Sequence, residues 1–526
     1  MTPRARKFLS LVALGCAGVG VGAALAAQGA LPRVPRYGVF EQTFRFSSHA
    51  TDPWEQVRLT ATLRAPDGRR VAIGGFYAGG TTWKLRFAPS QLGRWSWTAR
   101  IADRAHGVTQ RGSFQVVRGP SSGFVERSPF DRFRWTFSNG RPYDPIGLQD
   151  CTVTVYTDNP LTGLGFDGGP GTPLRWTSLE PYLATFAAAG FDLFRWGPDN
   201  CSFGLFDRID PSGNVYSLQG GTYADQLATA LRRHGFRIEF VLFGSRVPFA
   251  SGFQDAAQLA AVERYMRYVV DRFGAYVDFW ELTNEVREPT AWITSVARYL
   301  RSVDPYHHPI GTSWSRPDLP AVDFGSDHWY RTEPDLDADA IAWQRLRNEP
   351  ARRYGKPTLV DEQGNAGHNW DPTSGVRMRL RTWTAFFAEA TIVFWNTSAT
   401  KDYLAEAANI YLGPEERGYI RVLSRYTSGF DPKARVVTAS VSGATGLRAY
   451  ALRGPAAYGL YVVDGASHSA QVSGARVVVD PAHSGRATWT DPATGRALFS
   501  VRVPAGRQTL RVPRFTTDVA LKIVGG

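Results

Sequence analysis

The periodicity of apolar and polar positions changes twice along this 526-residue chain. From Tyr37 to about Val117 the two alternate in short runs such as VRLTATLRAP, WKLRFAPS, RWSWTARIA and GSFQVV, separated by turn signals like Pro66-Asp67-Gly68. A period of two buries one face of a pleated strand, so an antiparallel β-sandwich is expected over 36–118. RGPSSGF opens a Gly/Pro/Ser-rich linker over 119–127. From 128 to 428 short apolar runs alternate with stretches of helical period. The strand candidates are YDPIGLQ, FDLFRW from Phe191, IEFVLF from Ile238, VDFWELT from Val277, HPIGTSW from His308, DFGSDHW from Asp323, PTLVDE from Pro357 and TIVFWN from Thr391. Helices are expected at 178–189, 223–234, 256–273, 290–302, 337–353 and 376–390. The fifth connection, RPDLPAV, is too short for one. Eight strands with intervening helices predict a (β/α)8 TIM barrel. An open doubly wound sheet fits less well, because no G-x-G-x-x-G follows the first strand. After about Asp431 the alternation returns in LRAYALRG, YGLYVVDG and ARVVVD, predicting a second sandwich over 431–526. The expected fold is therefore multi-domain, a central TIM barrel flanked by N-terminal and C-terminal β-sandwiches.

The amino terminus adds an address. Arg4, Arg6 and Lys7 precede a run from Phe8 to Ala30 without a charge, and Ala24-Leu25-Ala26 offers a cleavage site. Residues 1–30 read as a signal peptide or membrane anchor, and 8–30 are long enough to hold the chain at a membrane. Cys16 is a small residue within that run. Export makes a disulfide available to Cys151 and Cys201, which follow neighbouring strands on one face of the expected barrel.

Composition changes the picture little. The 43% hydrophobic and 13% aromatic content suffices for two or three packed cores. A formal net charge of +13 points toward anionic surroundings, but the arginines are scattered and no long basic run appears beyond the amino terminus. No nucleic-acid partner is expected. No metal-ligand cluster, nucleotide loop or redox motif is present, so no cofactor is expected.

The candidate chemistry lies at strand ends. FWELTNEVRE closes the fourth strand on Asn284-Glu285, and LVDEQG closes the seventh on Glu362, 77 residues later. In a TIM barrel both mouths open on the same face, where the active site forms. Two carboxylates so placed suit glycoside hydrolysis, one protonating the leaving oxygen and the other meeting the oxocarbenium-like centre. Glu281 competes with Glu285 as a buried, paired carboxylate, and Asp361 competes with Glu362.

These residues resemble the (β/α)8 glycoside hydrolases of clan GH-A, over roughly 128–428. The resemblance implies Glu285 as acid/base after Asn284 and Glu362 as nucleophile. It also implies Arg195 as the support of that nucleophile, His328 and Tyr330 near it, and Trp395 as the aromatic floor under the sugar. Trp196, Asn200, Trp314, His368 and Trp370 are further candidates for substrate contact. YGVFEQTF with the following aromatic run resembles an uncharacterised sandwich domain that precedes such barrels in exported bacterial proteins. ATWTDPATGRAL resembles a tail sandwich that carries a collagen-binding label, which is not evidence of collagen binding. The implied activity is that of an exported retaining O-glycoside hydrolase on an oligo- or polysaccharide, with Glu285 holding the higher pKa. A non-catalytic glycan-binding surface protein and an envelope transglycosidase remain alternatives. The third strand, EFVLFGSR, lacks the His or Asn that several families of the clan place there, which leaves the sugar open.

Overall fold

The computed structural model describes residues 30–149, 179–198, 203–330, 335–364, 375–395 and 412–525, with backbone alone at 164–166, 175–177 and 374. Its centre is an eight-stranded parallel sheet: β1 (Ile146–Gln149), β2 (Leu193–Trp196), β3 (Arg237–Val241), β4 (Phe279–Glu281), β5 (Ile310–Gly311), β6 (Gly325–Trp329), β7 (Thr358–Gln363) and β8 (Thr391–Trp395). The ladder runs β5-β4-β3-β2-β1-β8-β7-β6. β1 therefore pairs both β2 and β8, and the sheet curls until β5 and β6 meet. At that seam the Asp323 N–H donates to the Ile310 carbonyl at 2.7 Å, leaving the barrel nearly closed.

Helices α1 (Leu179–Ala188), α2 (Leu218–Arg233), α3 (Ala256–Phe273), α4 (Thr290–Val303), α5 (Ala338–Arg347), α6 (Ser374–Phe387) and α7 (Pro414–Thr427) accompany the strands. No helix joins β5 to β6, as the short connection requires. α2 starts five residues ahead of expectation because the Ser217 Oγ caps it, accepting from the Gly220 N–H at 3.0 Å. The Gly220-Gly221 pair in its first turn is there for space. A Cβ at Gly220 would stand 1.8 Å from the Gly204 carbonyl oxygen. The helix expected over 337–353 divides at Pro350, which cannot continue α5 and opens a separate short turn, Pro350–Arg353. α7 was not anticipated, although Pro414 followed by Glu415 and Glu416 is a helix-start signal.

Alternation along the strands sorts the barrel into layers. Phe194, Trp196, Phe240 and Trp280 face outward into the main core beneath the helices, and the Trp196 ring meets Phe240 edge-on at 4.9 Å. Leu193, Phe279, Leu359 and Val393 face inward at the bottom, plugged by Trp135, whose ring meets Phe279 at 4.9 Å. Val125–Arg127, within the expected linker, is a strand that pairs with Trp135–Phe137 as part of this plug. Two residues further along β2, β4, β7 and β8 stand Arg195, Glu281, Asp361 and Trp395. The barrel interior thus changes from apolar to charged over one strand period.

Two sandwiches of largely antiparallel strands flank the barrel, Arg33–Pro35 pairing parallel with Gln115–Val117 at an edge of the first. In the first, a five-stranded and a three-stranded sheet enclose Phe40, Leu63, Leu85, Trp95 and Phe114. In the second, a six-stranded and a three-stranded sheet enclose Val477, Trp489 and Leu521. Buried ion pairs fasten both to barrel helices. Arg86 reaches Asp225 of α2 at 2.7 Å, and Asp518 accepts two bonds from Arg379 of α6 at 2.9 and 3.1 Å.

Candidate active site

The charged layer converges on Arg195, whose side chain has no exposed surface. Its Nε and Nη2 donate to the two oxygens of Glu281 at 2.6 and 2.9 Å, Nη2 also to Asn284 Oδ1 at 2.7 Å, and Nη1 to Glu362 Oε1 at 2.5 Å and to Gln149. Glu281 is thereby the bidentate anchor of the guanidinium, deep in the barrel. Glu362 is its second carboxylate.

Strict alternation would send either Asp361 or Glu362 out of the barrel, since neighbours on a strand face opposite ways. β7 carries one extra residue relative to both neighbours. Val360 pairs with Asp327 and Glu362 with His328 on one side, while Val360 and Gln363 pair with Ile392 and Phe394 on the other. This bulge lets both carboxyls be buried, Asp361 on Ser326 Oγ at 2.5 Å and Glu362 on Arg195. Glu362 also accepts from the Tyr330 hydroxyl.

Glu285 lies past the end of β4 in a left-handed conformation, φ 57°, which costs a non-glycine residue about 1 kcal/mol or more. Its carboxylate is 40% exposed, whereas that of Glu362 is 2% exposed, so only one of the two faces open solvent. The His328 imidazole bridges them. Nδ1 is 2.7 Å from Glu285 Oε1 and 3.4 Å from Glu362 Oε2, and Nε2 is 3.1 Å from Ser313 Oγ and 3.6 Å from Asp361 Oδ1. With acceptors at both nitrogens, the ring is suited to carry two protons. An oxygen of Glu285, an oxygen of Glu362 and a nitrogen of His328 all lie within 4.8 Å of one another.

Four buried carboxyls, Glu239, Glu281, Asp361 and Glu362, surround two buried cations. They cannot all be ionised together. Burial, reinforced by Asp361 and Glu281, holds Glu239 well above the usual carboxylate range, and neither of its oxygens has a hydrogen-bond partner among the described residues. Burial and Glu281 push Asp361 up to about 7. Burial also raises Glu362, against the pull of His328 and Arg195. Burial pulls His328 down, but Glu362, Glu285 and Asp361 together lift it to about 9.

These directions reverse one expectation. The hydrogen bond from His328 holds Glu285 below its ordinary value, so the half-exposed carboxyl is the more acidic of the two. These directions favour His328 over Glu285 as the carrier of the proton they share.

The other candidates fall in different places. Trp395 ends β8 half-buried beside Gln149. Trp314 is 42% exposed, its ring 6.0 Å from that of His328. Trp196 is 1% exposed in the core and cannot reach a ligand at the mouth. Asn200, His368, Trp370 and the pair Cys151 and Cys201 lie outside the described residues. Gln149, Glu239, Ser313 and Ser326 had not been singled out. Gln149 and Glu239 were visible as polar residues inside apolar runs, IGLQ and RIEFV.

Residues 33–102 match the profile of a domain of unknown function, DUF5060. No curated protein matches the chain. Among solved structures, a candidate glycoside hydrolase from Bacteroides vulgatus ATCC 8482 superposes with a TM-score of 0.65 at 17% identity, covering 94% of this chain and 100% of that one. A glycoside hydrolase family 5 protein from the same organism superposes with a TM-score of 0.55 at 15% identity, over 77% of this chain and 94% of that one. The chain thus shares the (β/α)8 fold of these glycoside hydrolases, with a DUF5060 domain at the head of its barrel.

Proposed function

We propose that the protein is an exported retaining O-glycoside hydrolase acting on an oligo- or polysaccharide. The observation that carries this reading is the approach of Glu285 and Glu362 to within 4.8 Å, oxygen to oxygen, at one barrel mouth. Carboxyl groups about 5 to 5.5 Å apart suit double displacement, whereas about 6.5 to 9.5 Å leaves room for the water of an inverting reaction. In the first step Glu362 attacks the anomeric carbon as the bond to the leaving oxygen breaks. Glu285 gives that oxygen a proton drawn from His328 Nδ1, to which it is hydrogen-bonded at 2.7 Å. In the second step Glu285, now a carboxylate, takes a proton from water as the water attacks the anomeric carbon and frees Glu362. Arg195 and Tyr330 keep Glu362 oriented and steady its charge between turnovers. Trp314 and Trp395 offer apolar faces to sugar C–H surfaces. A screen of aryl glycosides and polysaccharides, with the Glu362→Gln variant as control, tests the activity. Equal turnover by that variant would remove the reading.

The pH profile follows from the shifts. Glu362 must be ionised to attack, so its raised value sets the acid limb of kcat/KM above the ordinary glutamate range. The proton for the leaving group comes from the His328–Glu285 pair, so the basic limb lies near the His328 value of about 9. In His328→Ala, Glu285 must hold that proton itself, and the basic limb moves down by several pH units. A basic limb unmoved in that variant would reject the relay.

Export rests on the charged start and the uncharged run of residues 8–30. Among the described residues no helix is long and apolar enough to cross a membrane. We place cleavage after Ala26, so the intact mass of protein recovered from the medium should correspond to a chain starting at Ala27. A mass including residues 1–26 would instead favour an uncut anchor.

A further inference from the structure

A recess of about 560 Å³ lies away from the barrel mouth, between the outer sheet face of the first sandwich and helix α3. Asp271 of α3 forms part of its lining, where its carboxylate accepts from the Gly74 N–H at 3.1 Å. A Cβ at Gly74 would stand 2.0 Å from an oxygen of that carboxylate, so the glycine is what lets the two domains approach here. One end is walled by Trp54, fixed edge-on to Tyr77 at 4.9 Å and stacked on Tyr216 at 5.7 Å.

The charge of the lining is unbalanced. Arg58 and Arg100 come from the sheet and Arg264 and Arg267 from α3, against only Glu55 and Asp271. Among the described residues Arg264 alone of the four has a carboxylate within 4 Å, Glu55 at 2.7 Å. Arg267 lies over the Tyr299 ring at 5.9 Å and acts with Arg58 on the Asp271 carboxylate, and the Arg100 guanidinium rests on Gly107. The sheet face adds the small, exposed hydroxyl residues Thr60, Thr62 and Thr98. A guanidinium presents a planar fork that matches carboxylate or sulfate oxygens. Hydroxyls and an aromatic wall suit the remainder of a sugar ring, and the volume falls within the usual range of ligand sites, about 300 to 1,000 Å³.

We propose that this recess is a second carbohydrate site, separate from the barrel mouth, that binds an anionic saccharide through Arg58 and Arg267. A bare phosphate would leave the hydroxyl face and the aromatic wall unused. The site depends on neither Glu285 nor Glu362.

The test is calorimetric titration of the full-length Glu362→Gln protein with four probes: tetragalacturonate, a chondroitin sulfate tetrasaccharide, neutral cellotetraose and a short oligothymidylate. At least one of the two acidic saccharides is expected to bind. The Arg58→Ala/Arg267→Ala double variant should weaken that binding roughly tenfold or more while its thermal unfolding stays cooperative. Thr60→Trp, which fills the recess from its exposed side, should weaken it as well. The carboxylated and sulfated probes distinguish which anion the forks prefer. Absence of acidic-saccharide binding, binding unchanged by both variants, equal binding of cellotetraose, or tighter binding of oligothymidylate would each overturn the proposal. Because no turnover is measured, its failure is distinct from failure of the hydrolase reading.

Discussion

Replacing Glu362 by alanine lowers kcat on the order of 10⁴-fold or more while the protein remains folded. The size follows from the role, since the variant lacks the atom that forms the new bond, and a missing nucleophile removes the covalent path altogether. The variant also leaves a small vacated space beside Arg195 and Tyr330, both of which point donors at it. Azide fits such a space and can attack the anomeric carbon directly. With an activated aryl glycoside, added azide is therefore expected to restore part of the turnover and to yield a glycosyl azide of inverted configuration. Arg195 loses one of its carboxylate partners but keeps Glu281, so thermal melting should shift little. Wild-type turnover in Glu362→Ala would show that the carboxylate is not the nucleophile.

The largest stability effect is expected at Arg195. Removing one partner of a buried ion pair costs about 3 to 5 kcal/mol because the remaining charge is stranded. Here Arg195→Ala strands Glu281 and Glu362 together and leaves the Gln149 and Asn284 carbonyls without this donor. The thermal midpoint of the barrel should fall by several degrees, and activity should be lost with it. Arg195→Lys should recover little, because one ammonium cannot reproduce a bidentate fork that also reaches three further oxygens. The pH dependence has a definite sign. Glu362 is already raised by burial, and losing the guanidinium raises it further. A raised carboxyl contributes stability that is fully present below its unfolded value and is lost as pH rises through its folded value. The gap between variant and wild type should therefore narrow on acidification below the ordinary carboxylate range and widen toward neutral pH. A midpoint unchanged at neutral pH would contradict the role assigned to Arg195.

Much of this arrangement was legible in the chain. Short apolar runs between stretches of helical period marked all eight barrel strands, alternation of side-chain direction along each strand sorts its residues between barrel interior and helices, and the position of Glu285 and Glu362 at strand ends placed both at one mouth. The same alternation already separates Arg195 from Trp196, so the burial of Trp196 in the outer core was readable from its neighbour. The bulge in β7 was not, because nothing local in LVDEQG marks an extra residue. Burial of both Asp361 and Glu362 depends on pairing with β6 and β8, more than 25 residues away in each direction. The reversed acidity of Glu285 was equally out of reach, since it arises from His328, 43 residues distant, coming to hydrogen-bond distance. The early start of α2 was hidden because Gly220-Gly221 signals flexibility locally and close packing only in the folded structure.

The claim on which the mechanism rests is that Glu285 and Glu362 act across one glycosidic bond at double-displacement distance. Proton NMR of the first sugar released, recorded before mutarotation with whichever glycoside the screen identifies, measures this most directly. The account predicts that the product keeps the anomeric configuration of the substrate; a product of opposite configuration would contradict it.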